Sequence, residues 1–307
     1  MEEIVWHYTT LSTFQAILNS SLRKDKSKLP QLSDFIFWAS DICAMNDPTE
    51  YQYGYYLLAN KLLPQIEKDL RIKDNSLKLS RIWSNNNETK KNPAIWHDFL
   101  IKDNMEKYQI PFVISFSKQQ DFLPMWNTYA NSGNGIALGF NHYEWSFTPD
   151  IKNDYKVEVF RKLHAKDVDY GEIGEIPYKV ILDLYKNYYK KVSAMEDYQE
   201  RFNYMIQQLS TFSVIVSPYI KHKAYQYEQE VRLIKFKNDL KDVKYRCNEK
   251  GHIIPYIEIP IKKEYLAKII IGPCADFESV CRTLKSELLQ LRIDVPIIKS
   301  AVPYRNY

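Results

Sequence analysis

The sequence predicts a single α+β domain over residues 1–307, built on a mixed, mainly antiparallel sheet with helical insertions. Three observations predict it. Short β-branched and aromatic runs recur towards both ends of the chain. Two helical blocks interrupt them, one over 60–109 and a second over 175–212. No repeat, low-complexity tract or linker composition divides the whole.

Ile4-Val-Trp-His-Tyr8 reads as a short strand, followed by Thr9 or Thr10 as cap of a helix with Leu11, Phe14, Ile17 and Leu18 on one face. Phe35–Ala39 is strand-like, and Asn46-Asp-Pro-Thr-Glu50 carries turn chemistry into a helix with Tyr51, Tyr55 and Leu58. Residues 60–109 turn rich in Lys, Asn and Glu, with helical periodicity broken at Ser84-Asn-Asn-Asn87, as expected of an insertion with a loop. Pro111–Ser117 and Ile136–Phe140 return to strand pattern, and Met125, Trp126 and Tyr129 lie between them on a segment expected to curl against the sheet. After the second helical block come a strand at 225–236, a charged loop through Gly251 and a strand at Ile253–Ile261. A terminal unit closes the chain: Ile269–Ile271, a helix from Asp276 to about Gln290, and Val295–Ile298.

A hydrophobic fraction of 45% and a charged fraction of 26% are those of an ordinary soluble globular protein. The 24 Tyr, 14 Phe and 6 Trp supply large buried areas with polar tips, suited to a core and to a minority of ligand contacts. A formal charge of +4 is too small to diagnose nucleic-acid binding, although Lys221-His-Lys223 and Lys241 to Lys250 form basic stretches. Cys43, Cys247, Cys274 and Cys281 lack metal-ligand spacing, so no metal site is expected and the thiols read as reduced. With no leader pattern and no apolar run long enough to span a bilayer, the expected location is the cytoplasm, away from membranes. Zinc-protease, P-loop, serine-esterase and dinucleotide glycine signatures are all absent from the sequence.

The stretch Tyr225-Gln-Tyr-Glu-Gln-Glu-Val-Arg-Leu-Ile234 alternates apolar Tyr225, Tyr227, Val231 and Leu233 with Glu228, Glu230 and Arg232. On a strand the two carboxylates project the same way, roughly 6 to 7 Å apart, and repel unless a cation is near. A solvated strand face neutralised by Arg232 and Lys223 is the simplest reading of the segment alone.

Taken together, His-Tyr-Thr at 7–9, Asn-Asp-Pro-x-Glu at 46–50, Ser-Phe-Ser at 115–117, Met-Trp-x-x-Tyr at 125–129, Gly-x-Ala-x-Gly-Phe at 135–140 and Tyr-Glu-x-Glu-Val-Arg at 227–232 resemble an uncharacterised bacterial domain-of-unknown-function family. The order of the His, Ser-x-Ser and Glu-x-Glu elements also resembles ADP-ribosyltransferases. That resemblance implies an ADP-ribosyltransferase-like sheet and an enzyme that cleaves NAD and transfers ADP-ribose to a protein or nucleic-acid acceptor, in a toxin or phage-defence setting. It implies that Glu230 accepts a hydrogen bond from the ribose 2′-hydroxyl and stabilises the developing cation. Glu228 would orient or deprotonate the acceptor. His7 would bind the adenosine ribose, with Tyr8 and Thr9 beside it in the NAD-binding set, while Ser115 and Ser117 brace strand and carboxylate. Tyr8, Trp126 and Tyr129 would stack on a flat ring. The competing readings are a non-catalytic nucleic-acid or protein-binding module on the same fold, and an NAD glycohydrolase.

Overall fold

The computed structural model describes residues 4–24, 34–45, 50–85, 110–141, 164–237, 241–247 and 251–304. Among the described residues are twelve strands and eight helices. Ten strands share one mixed, mainly antiparallel sheet, as expected. They are β1 (Ile4–Thr9), β2 (Asp34–Asp41), β3 (Ile110–Ser117), β4 (Ile136–Asn141), β5 (His164–Asp167), β8 (Glu230–Lys237), β9 (Lys244–Cys247), β10 (Ile253–Lys262), β11 (Leu266–Ile271) and β12 (Ile297–Lys299). Neighbours run β12-β11-β4-β1-β3-β2-β10-β9, with β8 joined to β3 and then to β5. Only β11 and β12 pair in parallel within this sheet, because helix α8 (Phe277–Gln290) makes the crossover between them.

The strand β3 decides where a site can form. Its whole length pairs with β8, from Ile110↔Lys237 to Ser117↔Glu230. Its other edge is shared between two partners that each touch one part of it: β1 at Trp6↔Ser117, and β2 at Ser40↔Val113 and Asp41↔Phe112. Around Ser115, neither ladder continues, so β1 and β2 splay from β3 and leave a wedge. A backbone edge withdrawn from its ladder needs other partners or a ligand.

The principal core lies on the sheet face covered by α1 (Leu11–Lys24) and α8, where Phe14, Ile17, Leu18, Leu284 and Leu288 pack on Phe35, Phe37, Phe116, Leu138 and Phe140. Thr10 caps α1 by accepting from the Thr13 N–H at 3.1 Å, resolving the choice between Thr9 and Thr10. A separate core joins the two helical blocks. Helices α2 (Glu50–Leu57), α3 (Leu63–Asp69) and α4 (Leu79–Asn85) pack on α6 (Glu175–Val192) and α7 (Tyr198–Val216), burying Leu58, Leu63, Tyr185, Tyr188 and Phe212. Its polar centre is Glu67, which is 4% exposed and accepts from the Tyr185 hydroxyl at 2.8 Å and the Ser80 N–H at 2.9 Å. Helix α2, expected after the turn at 46–50, shares this core with the first block; residues 86–109 lie outside the described residues, as do Asn46–Thr49.

Two expectations are corrected. The charged stretch read as a loop contains strand β9, held to β10 from Ile253↔Cys247 to Tyr256↔Lys244. Residues 225–229 are not strand: Lys223–Glu228 form a 3-10 helix capped by His222, and Gln229 follows at φ 43° before β8 begins at Glu230. Alternating Tyr225 and Tyr227 suggested a strand, but Tyr227 is 40% exposed, so no buried face holds the segment extended.

The glycine motif after α5 (Leu123–Tyr129) has a steric basis. A Cβ on Gly135 would lie 2.3 Å from the Thr9 carbonyl oxygen, and one on Gly139 would lie 2.8 Å from the Trp6 ring. Both glycines let β4 approach β1, which carries the His-Tyr-Thr segment.

Candidate functional site

The wedge between β1, β2 and β3 is a pocket of about 340 Å³, within the usual range for small-molecule sites. Its walls include His7, Tyr8 and Thr9 from β1, Ser115 from β3, Tyr129 from α5, and Glu228 and Glu230 at the entry to β8. Residues as distant in sequence as His7 and Glu230 thus meet at one cavity. Helix α1 adds Thr13 and Ile17, and β2 adds Phe37, Trp38 and Ser40.

His7 fills the gap left by the splayed ladder. Its Nδ1 lies 3.0 Å from the Ser115 carbonyl oxygen, which can only accept, so Nδ1 carries the proton. The ring packs edge-on against Phe37 and tilted on Phe116, with centroids 5.2 and 5.5 Å away, yet keeps an accessible edge towards the pocket. Burial pulls its pKa below the ordinary range, only partly opposed by the Ser115 carbonyl. A neutral ring with Nδ1 protonated leaves Nε2 as an acceptor.

The acids sit in a charge cluster. Lys221 donates to Glu228 at 2.7 Å and to Glu230 at 3.0 Å. Arg232 donates from Nε to Glu230 Oε1 at 2.8 Å and from Nη2 to Oε2 at 3.1 Å, while its Nη1 bonds the Pro218 carbonyl at 3.0 Å. All four residues are at most 4% exposed. Two anions and two cations leave the cluster formally neutral, the condition under which buried charges persist. Burial pushes the Glu230 carboxyl above the ordinary range, with Lys221 its main counterweight. For Lys221 burial acts downward, but Glu230 and Glu228 outweigh it and the ammonium is held well above its ordinary value.

Local structure explains how Lys221 arrives there. Helix α7 ends at Val216, a 3-10 turn spans Ser217–Tyr219, and the short strand β7 (Ile220–Lys221) pairs in parallel with β6 (Asp169–Tyr170). On the helical side Gly54 of α2 meets this turn so closely that an added Cβ would lie 2.7 Å from the Ser217 Cα. The helical block is thereby seated against the segment that delivers the cation. Tyr170 completes the frame, its hydroxyl accepting from the Glu230 N–H at 2.7 Å.

The remaining expected residues divide by role. Tyr129 donates to Glu228 Oε1 at 2.9 Å and lines the pocket; burial raises its phenol above the ordinary range. Ser117 is fully buried, donates to the Glu228 carbonyl at 2.5 Å and accepts from the Gln119 N–H at 3.0 Å, fixing the turn that carries Glu228. Ser115 Oγ faces Glu230 closely enough to favour its charged form but completes no hydrogen bond of ordinary geometry. Tyr8 presents part of its surface to the pocket but spends its hydroxyl on the Gln119 carbonyl at 2.8 Å and the Phe122 N–H at 3.1 Å. Trp126 is elsewhere: fully buried, edge-on to Tyr8, with Nε1–H on Asp121 at 2.9 Å, so it supports the wall from behind and offers no ring to a ligand.

Carboxylate capacity separates the two acids. Each carboxylate has about four lone-pair directions. Glu230 accepts three of the bonds above and Glu228 two from side chains, so Glu228 retains the larger free capacity.

Sequence reading did not find Lys221 as the counter-ion; it named Lys223, which is exposed. It also missed the opposite wall, where Arg246 of β9 reaches over β2. Its Nη2 donates to Ser40 Oγ at 3.1 Å and its guanidinium lies 5.8 Å from the Trp38 ring centroid. Arg246 Nε and Trp38 Nε1 are both shielded from solvent and have no hydrogen-bond partner among the described residues. An unsatisfied buried donor costs about 1–3 kcal/mol, so two on one pocket wall need a reason.

Residues 125–233 match the family model described as "Protein of unknown function (DUF2971)". Over that span, about a third of the chain, the sequence is similar to that family. The matched segment contains Tyr129, the glycine motif and the whole Lys221–Glu228–Glu230–Arg232 cluster, whereas His7, Trp38, Ser115 and Arg246 lie outside it. No curated protein and no solved structure matches the chain.

Proposed function

We propose that this protein is an ADP-ribosyltransferase-like enzyme of the cytoplasm that cleaves NAD as its substrate and transfers ADP-ribose to a protein or nucleic-acid acceptor, in a toxin or phage-defence setting. The observation that carries the reading is the convergence of His7, Ser115, Tyr129, Glu228 and Glu230 on one pocket. Breaking the bond between ribose C1′ and the nicotinamide nitrogen sends the electron pair to nicotinamide and leaves positive charge on the sugar. A carboxylate fixed beside that carbon acts mainly in the transition state, where the charge appears. Glu230, pinned from behind by Arg232, is suited to that static role. Glu228, with spare lone pairs and a single ammonium contact, is suited to take the proton of the attacking hydroxyl. His7 Nε2 is an acceptor for a ribose hydroxyl.

The test is nicotinamide release from NAD by the purified chain, with and without pooled protein and RNA or DNA acceptors. Release by wild type that falls at least about a hundredfold in Glu230→Gln, assayed well below the variant's own melting temperature, supports the proposal. No release with any acceptor, or equal rates in the variant, overturns it. Release without a modified acceptor would identify an NAD glycohydrolase using the same pocket.

A further inference from the structure

We infer that Arg246, with Trp38 and Ser40, forms an anion subsite on the wall of this pocket and holds a phosphate group of the ligand whose sugar meets Glu228 and Glu230. The inference deepens the NAD reading and rests on it for the sugar, but not for the anion. A guanidinium has five N–H donors, and Arg246 uses one, on Ser40 Oγ. Among the described residues no carboxylate forms an ion pair with it. Lys221 and Arg232, on the opposite wall, are each matched by glutamates at 2.7 to 3.1 Å. The cluster there is neutral, whereas Arg246 brings an uncompensated positive charge to the same pocket.

The supporting geometry is local and specific. Trp38 and Arg246 both line the pocket, and the indole packs against Tyr256 at a tilt of 38° with centroids 5.0 Å apart, which fixes the ring under the guanidinium. The indole N–H and the Arg246 Nε–H then remain as donors with no partner among the described residues. Donors of this kind, beside a planar fork, match a tetrahedral oxyanion. The Ser40 contact places the guanidinium over β2, level with Val113 and Ile234, two strand spacings across and four residues along from Glu230, roughly 16 Å between backbone positions. Arg246 and the glutamates line the pocket from its two ends, and a sugar with its attached phosphates spans what lies between them, so the matching ligand class is a nucleoside phosphate or dinucleotide rather than a free sugar.

Calorimetric titration of the full chain with NAD, ADP-ribose, inorganic pyrophosphate and nicotinamide riboside tests this, using wild type, Arg246→Met, Arg246→Lys and Trp38→Phe. Arg246→Met should weaken the phosphate-bearing ligands about 10- to 100-fold and leave nicotinamide riboside unchanged, with Arg246→Lys intermediate. Trp38→Phe, which keeps the ring and removes only the N–H, should weaken the same ligands to a smaller degree. Pyrophosphate binding that depends on Arg246, with no NAD binding, would sustain the subsite and sink the NAD reading. NAD binding equally to wild type and Arg246→Met would do the reverse. Equal weakening of all four ligands would overturn the subsite, since loss of the phosphate-free ligand marks a general disturbance of the pocket.

Discussion

Lys221→Met removes the one ammonium that Glu228 and Glu230 share, at 2.7 and 3.0 Å, and replaces its stem with an apolar chain of similar length. Both carboxylates stay at most 4% exposed in the parent fold, so water cannot readily replace the lost partner. Glu230 keeps Arg232, and Glu228 keeps only the Tyr129 hydroxyl and the cavity. Removing one partner from a buried ion pair costs about 3–5 kcal/mol, a large share of the roughly 5–15 kcal/mol that stabilises a typical domain. Urea unfolding at pH 7 should therefore show a fall of that size. Its pH dependence carries the mechanism. Burial already holds the Glu230 pKa above the ordinary 4.5, and Lys221 is the main opposing influence, so the variant raises it further. A raised carboxyl pKa means that the folded state binds protons more tightly than the unfolded chain. The deficit is then complete above the folded pKa and shrinks as pH falls through it towards 4.5. Adding Glu228→Gln should restore part of the loss at pH 7. A deficit below about 1 kcal/mol, or one that does not change with pH, would refute the claim that this lysine neutralises a buried acid pair.

His7 has a depressed pKa, so below its ordinary value of 6.5 the unfolded chain protonates first and wild-type stability falls; His7→Asn should flatten the urea midpoint between pH 7 and 5. Tyr129→Phe keeps the ring and removes the hydroxyl that donates to Glu228 at 2.9 Å, an expected loss of about 1.5–3 kcal/mol by thermal unfolding. Gly135→Ala places a Cβ 2.3 Å from the Thr9 carbonyl, so it should cost about 1–3 kcal/mol and disturb ligand binding at β1, measured by unfolding and NAD titration together.

Much of the sheet was legible because its strands are bounded by turn chemistry and rich in β-branched and aromatic residues. Ile4–Thr9, Ile110–Ser117, Ile136–Asn141 and Ile253–Lys262 fall within a residue or two of the expected spans. The Asp276 cap and helix α8 were equally plain, since the aspartate side chain accepts from the Ser279 N–H at 3.3 Å. Short pieces without a buried repeat were not legible: β5, β6 and β9 show too few residues for a period, and Lys223–Glu228 imitates a strand while its tyrosines stay partly exposed. The site divides the same way. Motif residues carried their own signal, but the two cations did not. Lys221 lies seven and nine residues before its glutamates, a spacing that neither helix nor strand periodicity joins; the left-handed turn at Gln229 joins it. Arg246 is remote in sequence from Ser40 and Trp38 and meets them only through the pairing of β2, β10 and β9.

The central claim is that the wedge beside β3 holds a ribose between His7 and the paired glutamates. A crystal structure of the chain with NAD or ADP-ribose tests it most directly. The expected electron density is a ribose with one hydroxyl within hydrogen-bonding distance of Glu230 or Glu228, another facing His7 Nε2, and a phosphate on Arg246. A nucleotide bound elsewhere, with the wedge closed or filled by side chains alone, would contradict it.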